Sequence, residues 1–159
     1  MSDHDAMLAL NNAHKVETGF LTPDELTSML NTAFCWAEKG GGRDGLLISF
    51  DQDAPYESPN FLWFKARYDR FVYVDRVIVA PHARGQGLAR AFYLDLIEKA
   101  RGAGHARIVC EINLDPPNPG SVAFHDAMGF VEMGQALLEN GKTVSYRGLP
   151  IGDENQQNT

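Results

Sequence analysis

The sequence predicts a mixed α/β domain, and three observations carry that expectation. An apolar run, Val77-Ile78-Val79-Ala80, stops at Pro81 and leads through Arg84-Gly85-Gln86-Gly87-Leu88-Ala89 into an amphipathic stretch, the pattern of a strand, a glycine turn and a helix. A further strand pattern, Ala106 to Leu114, follows that helix, so strand, helix and strand alternate. Near the end, Asn140-Gly141 lies between Phe130 to Leu137 and Lys142 to Tyr146, a strong signal for a hairpin. At 159 residues the chain has the length of one domain, expected over residues 1–152, with enough residues to bury a core.

Taken in order, Ser2 to His14 reads as a helix with Ala6, Leu8, Ala9 and Ala13 at apolar positions. A second helix starts at Thr22-Pro23-Asp24-Glu25, which supplies an N-cap, a proline at the first helical position and a glutamate three residues on. Ala33 to Ala37 and Leu46 to Phe50 read as short strands around the flexible turn Gly40-Gly41-Gly42. From Asp51 to Arg70 the pattern breaks, with Pro55, Pro59 and the aromatics Tyr56, Phe61, Trp63, Phe64 and Tyr68; a long loop that folds over something is expected. Phe71 to Val79 is a central strand, and Gly87 to Ala100 a helix with Leu88, Ala91, Phe92 and Leu96 on one face, ended by Gly102 and Gly104. Asp115 to Gly120 carries three prolines, Ser121 to Met128 is a short helix stopped by Gly129, and the polar tail after Gly152 is expected to be loose.

Composition narrows the function. Cys35 and Cys110 make no CxxC pair and the five histidines show no HExxH spacing, so neither a disulfide framework nor a metal site is expected. A formal net charge of −7 argues against general affinity for nucleic acid. No long apolar span suggests a membrane helix, and Met1 to Leu10 lacks the basic and apolar regions of a signal peptide, so a cytoplasmic protein is expected.

The glycine turn points to a ligand. The first turn of a helix offers unpaired N–H groups and the positive end of the macrodipole. Gly85 and Gly87 remove side chains that would hold a phosphate away from them, so a diphosphate-bearing cofactor is expected. A triphosphate loop would need Gly-Lys-Ser/Thr where Gly87 is followed by Leu88, and a dinucleotide turn would need a third glycine where Arg90 stands. A turn that merely ends a strand accounts for one glycine, not for Arg-Gly-x-Gly opening an amphipathic helix.

Val79-x-Pro81-x-x-Arg84-Gly85-x-Gly87-Leu88-Ala89 resembles motif A of the GCN5-related N-acetyltransferases (GNAT). Asn118-x-x-Ser121-x-x-x-His125-x-x-x-Gly129-Phe130 resembles a second motif of that family, in the family's order. The resemblance, closest to an uncharacterised bacterial subgroup of acetyltransferases, implies a twisted mixed sheet of about six to seven strands with helices on both faces. It implies a splay between the family's fourth and fifth strands that admits acetyl-CoA. By similarity, backbone N–H groups from Gly85 through Gln86, Gly87, Leu88 and Ala89 to Arg90 would hold the pyrophosphate. The edge of Val77, Ile78 and Val79 would pair with the pantetheine arm, which Asn118 would contact farther along. Ser121 stands in the second motif, and its hydroxyl is expected to cap the helix.

Acetyl transfer to an amine needs a base for the ammonium proton and an acid for the departing thiolate. Glu111 resembles the glutamate that serves as base in part of the family; a salt-bridged strand residue, paired with Arg107 or Arg76, is the alternative. Asp75 competes as base, although Arg76 beside it offers a structural pair. His125 stands where the family usually has a tyrosine that protonates the sulfur, and Tyr73, Tyr146 or water are alternatives. Tyr56, Trp63, Arg67, Tyr68 and Tyr73 are candidates for the acceptor wall, against a reading of the aromatic segment as core. The family normally begins with a strand, whereas this chain opens on a helix, which implies an exposed sheet edge and a homodimer contact. The implied activity is transfer from acetyl-CoA to a primary amine of a small molecule, amino acid or peptide; the alternative is a non-catalytic acyl-CoA-binding module.

Overall fold

A computed structural model describes residues 2–115 and 117–152; the tail from Asp153, expected to be loose, lies outside the described residues. In chain order the elements are α1 (Asp3–Ala13), α2 (Lys15–Thr18), α3 (Pro23–Thr32), β1 (Cys35–Lys39), β2 (Gly45–Asp51), α4 (Pro59–Lys65), β3 (Val72–Val79), α5 (Leu88–Gly102), β4 (Arg107–Asp115), α6 (Pro119–Met128), β5 (Val131–Leu137) and β6 (Thr143–Pro150). Among the described residues they form two compact units, 2–55 with Val74–Leu96 and Tyr56–Tyr73 with the described part of 97–152.

In the first unit the helix starts follow the sequence. Thr22 and Glu25 exchange side-chain to backbone bonds at 3.2 and 3.0 Å, a capping box worth about 1 kcal/mol. Ser2 and Asp5 close the same box on α1. Helix α1 buries Ala6, Met7, Leu10 and the polar Asn11. Asn11 meets the cost of burial with bonds: its amide donates to the Gly19 carbonyl at 2.9 Å, and its oxygen accepts from Thr18 at 3.1 Å and Arg76 at 2.6 Å.

The sheet has six strands in the order β1-β2-β3-β4-β6-β5 and is mixed. Strand β1 pairs antiparallel with β2. The start of β3 pairs parallel with β4, Tyr73 opposite Val109. In the second unit β4 and β6 run antiparallel with Glu111 opposite Tyr146, and β5 joins β6 with Gly134 opposite Tyr146. Glu111, Tyr146 and Gly134 therefore stand in one row across three strands, and directly opposed residues share a face. Strand β6 runs to Pro150, four residues beyond the expected Tyr146.

The segment 51–70 differs from the long loop expected of it. Ser58-Pro59 starts helix α4, whose Phe61 and Phe64, three positions apart, are both 0 % exposed. Their rings meet those of Tyr73 and Tyr146 edge-on, at 5.7 Å for Phe61–Tyr73 and 5.3 Å for Phe64–Tyr146. Burying each phenylalanine contributes about 1.5–3 kcal/mol, enough to hold a helix of seven residues that would not persist alone. Among the described residues, no helix is long and apolar enough to cross a membrane.

Candidate active site

In the first unit, β3 runs out at Val79, Pro81–Ala83 makes a single 3-10 turn, and α5 begins at Leu88. Half-buried Val77 and Val79 alternate with buried Ile78. Gly85 and Gly87 sit at φ +80° and +75°, the left-handed region that costs other residues energy. A Cβ built on either would meet no atom within 4 Å, so open space faces the turn. The Gly87 carbonyl accepts the first bond of α5, from Ala91 at 3.0 Å. Having no side chain, Gly87 supplies no side-chain cap, and the positive end of the helix dipole opens on the turn. Arg84, Gln86 and Arg90 are exposed and Leu88 and Ala89 half-buried. These residues fit the diphosphate of coenzyme A: a backbone cradle, a helix N-terminus, and arginines at both ends of the turn.

In the second unit, the row on the sheet face builds a polar centre. Tyr73 directs its hydroxyl at both oxygens of Glu111, at 2.9 and 2.7 Å. Asn60, from α4, donates its amide to Glu111 Oε1 at 3.1 Å and accepts the Tyr146 hydroxyl at 2.9 Å. Trp63 stacks on Tyr146 with centroids 4.2 Å apart and planes 18° apart. Gly134 makes room for it: a Cβ there would stand 2.7 Å from Trp63 Cζ2. Arg67 lies over the outer face of Trp63, 4.0 Å from its centroid. Burial, and the Glu111 charge after it, push the Tyr146 phenol above its usual value, with Arg67 opposing, so Tyr146 keeps its proton across the neutral range.

The second motif places its residues on α6. The helix is capped by Asn118, whose Oδ1 accepts the Ser121 N–H at 3.2 Å, and not by the Ser121 hydroxyl. The expectation failed because the first residue with a suitable side chain takes the cap, and Asn118 precedes Pro119 at the position where the helix opens. His125 is 5 % exposed and packs edge-on against Phe130 at 5.1 Å. Its Nδ1 lies 2.7 Å from the Ser121 carbonyl, which can only accept, so Nδ1 carries the proton. Burial lowers the His125 pKa, with Arg147 adding to the effect and the Ser121 bond opposing it. The ring is thus charged less often at neutral pH than free imidazole, which weakens its expected part as an acid.

A stability test follows from that direction. A histidine whose folded pKa is depressed stabilises the protein fully above its unfolded value of about 6.5, and that contribution is lost as pH falls towards the folded value. The melting temperature should fall between pH 7 and 5 more steeply for the native chain than for His125→Gln. Equal slopes would place the acid sensitivity elsewhere.

The other candidates divide. Asp75 forms a buried ion pair with Arg76 at 2.7 Å, the structural pair foreseen for it. Arg107 lies over the Tyr68 ring at 4.3 Å, and Tyr56 packs edge-on against Phe61 at 5.6 Å. Tyr73 is 1 % exposed, so it reaches this centre as a partner of Glu111 more than as a wall. Cys110 is buried and points away from the face of half-buried Glu111, as strand alternation requires. Asn60 was not singled out in the sequence. Ser58-Pro59 ahead of phenylalanines three apart was the available signal, because it marks a helix start and puts Asn60, Trp63 and Arg67 at helical spacing.

A mixed sheet whose central strand runs into a glycine turn at a helix N-terminus defines a class, the α/β domains that cradle a diphosphate. The family described as Acetyltransferase (GNAT) family matches residues 60–130, which span α4, the glycine turn and the second motif. Over that stretch, a little under half of its length, the chain is similar to the GNAT acetyltransferases. Phosphinothricin N-acetyltransferase from Alcaligenes faecalis is 33 % identical over 92 residues, 58 % of this chain and 43 % of that protein, so the match spans less than half of the relative. Among solved structures, Ard1 from Thermoplasma volcanium aligns with TM-score 0.72 at 12 % identity, over 94 % of this chain and 91 % of its own. The yncA protein of Salmonella typhimurium, solved with acetyl-CoA, aligns with TM-score 0.66 at 19 % identity, over 96 % and 90 %. At these identities the two structures establish a shared fold.

Proposed function

We propose that this chain is an N-acetyltransferase that moves an acetyl group from acetyl-CoA to a primary amine of a small molecule, amino acid or peptide. The observation that carries the reading is Glu111, a carboxylate held by Tyr73 and Asn60 on a sheet face roofed by an aromatic helix. The donor supplies an acyl carbon activated as a thioester. The turn from Gly85 to Arg90 binds its diphosphate through backbone N–H groups, as it would in the neighbours solved with acetyl-CoA or CoA. Glu111 accepts the proton of the incoming ammonium, freeing the nitrogen lone pair to form the new C–N bond as the C–S bond breaks. The nitrogen sheds a second proton as the amide forms and the thiolate takes up one, so one proton in all is released, by way of Glu111. His125 supplies the thiolate's proton only in its minority protonated form, whereas the Tyr146 phenol holds one throughout the neutral range.

Thiol release from acetyl-CoA, measured with a panel of primary amines, tests the reading. Amine-dependent release is expected; tight acetyl-CoA binding without turnover on any amine would favour an acyl-CoA-binding module instead. The cytoplasmic setting belongs to the proposal and is supported by Cys35 and Cys110, which form no disulfide. So does a homodimer through the outer strand β1, where Trp36 is 39 % exposed.

A further inference from the structure

Arg67 is a cation that the fold holds in place. Its guanidinium carbon lies 4.0 Å from the Trp63 ring centroid, and its Nη1 donates to the Trp63 carbonyl at 2.9 Å. Trp63 is itself fixed by its stack on Tyr146 and by the notch at Gly134. A free surface arginine loses much rotamer entropy when it engages a partner; here that cost is already met by the fold. Among the described residues no carboxylate pairs with Arg67, in a chain where 21 acidic residues outnumber 14 basic ones. The neighbouring sequence carries Lys65, Asp69 and Arg70, a net charge of the same sign.

The same stack carries the opposite charge on its inner side. Tyr146 lies under Trp63, its hydroxyl goes to Asn60, and Asn60 donates to the Glu111 carboxylate. Glu111 and Arg67 both act on the Tyr146 hydroxyl, in opposite directions. One small patch of the second unit thus presents a fixed anion and a fixed cation on either side of one phenol. A simple alkylamine complements the first and leaves the second without a partner. A molecule with an ammonium and an oxyanion complements both.

We propose that Arg67 reads an anionic group on the acceptor, so that the amine acetylated is a small molecule carrying its own carboxylate or other oxyanion. This rests on the acetyl-transfer reading of the Glu111 centre. Arginine suits the task, since its planar fork takes an oxyanion through two parallel N–H bonds while its face stays on the indole.

The test uses matched amines with and without the acid: L-methionine against 3-(methylthio)propylamine, and 4-aminobutyrate against propylamine. The two pairs place the carboxylate at different distances from nitrogen. The native protein should prefer the acid-bearing member of at least one pair by about ten-fold or more in kcat/KM, the usual weight of a charge-assisted bond. Arg67→Ala and Arg67→Gln should collapse that ratio towards one through KM, and Arg67→Lys should keep part of it. Equal use of both members by the native protein, or a ratio untouched by either variant, overturns the inference while leaving acetyl transfer intact. No thiol release with any of the four amines counts against the acetyl-transfer reading and this inference together.

Discussion

Glu111→Gln should lower kcat by about 10²- to 10⁴-fold, the range that general base catalysis contributes, while acetyl-CoA affinity stays near the native value. The amide keeps the size of the carboxylate but loses its charge and one of its two acceptor oxygens. Tyr73 and Asn60 both donate to Glu111, so the new –NH2 of glutamine faces groups that also carry hydrogens. The loss should be greatest at low pH, where more of the amine is protonated and the need for a base is largest. Initial rates across pH, beside acetyl-CoA titration by thermal shift, separate the effects. A loss of the same size at every pH would assign Glu111 to positioning, and kcat within three-fold of native would remove it from the chemistry.

Gly87→Val should abolish acetyl-CoA binding in the working range, raising its half-saturating concentration about 100-fold or more, since several charge-assisted bonds to phosphate fail together. Two effects combine. At φ +75° a β-branched residue is strained, and its methyl groups enter the open space where phosphate oxygens would approach. Strain alone is controlled by Gly141→Val in the turn before β6. There φ is +86° and an added Cβ likewise meets nothing within 4 Å. Both variants should lose melting temperature, but only Gly141→Val should still gain it back with coenzyme A. Native affinity in Gly87→Val would move the diphosphate away from this turn.

How much of this was legible in the sequence depended on whether the signal was local. The turn at Gly85 and Gly87, the capping box at Thr22 and the hairpin at Gly141 depend on backbone constraints that one residue type satisfies, so they could be read residue by residue. Helix α4 could not be read in that way. Its prolines suggested a loop, and it is held by Phe61 and Phe64 packing on Tyr73 and Tyr146, contacts made only after folding. The Glu111 centre followed the same rule. Glu111 is a candidate by its resemblance to a family base, but its partner Asn60 lies 51 residues away in sequence and Tyr146 lies 86 residues from Asn60. The cap of α6 was misassigned because Asn118 and Ser121 are both good capping residues and only the helix start decides between them.

The Asn60 amide between Glu111 and Tyr146 has a consequence for proton traffic. The amide donates at one end and accepts at the other, so every hydrogen in the row from Tyr146 to Glu111 points towards the carboxylate. A water or an imidazole in that position could hand a proton along by exchanging bonds. A carboxamide holds both neighbours in line yet has no proton to pass on at neutral pH. In the proposed reaction Asn60 would therefore work as an insulator: what Glu111 takes from the acceptor amine would leave by a route other than the Tyr146 phenol.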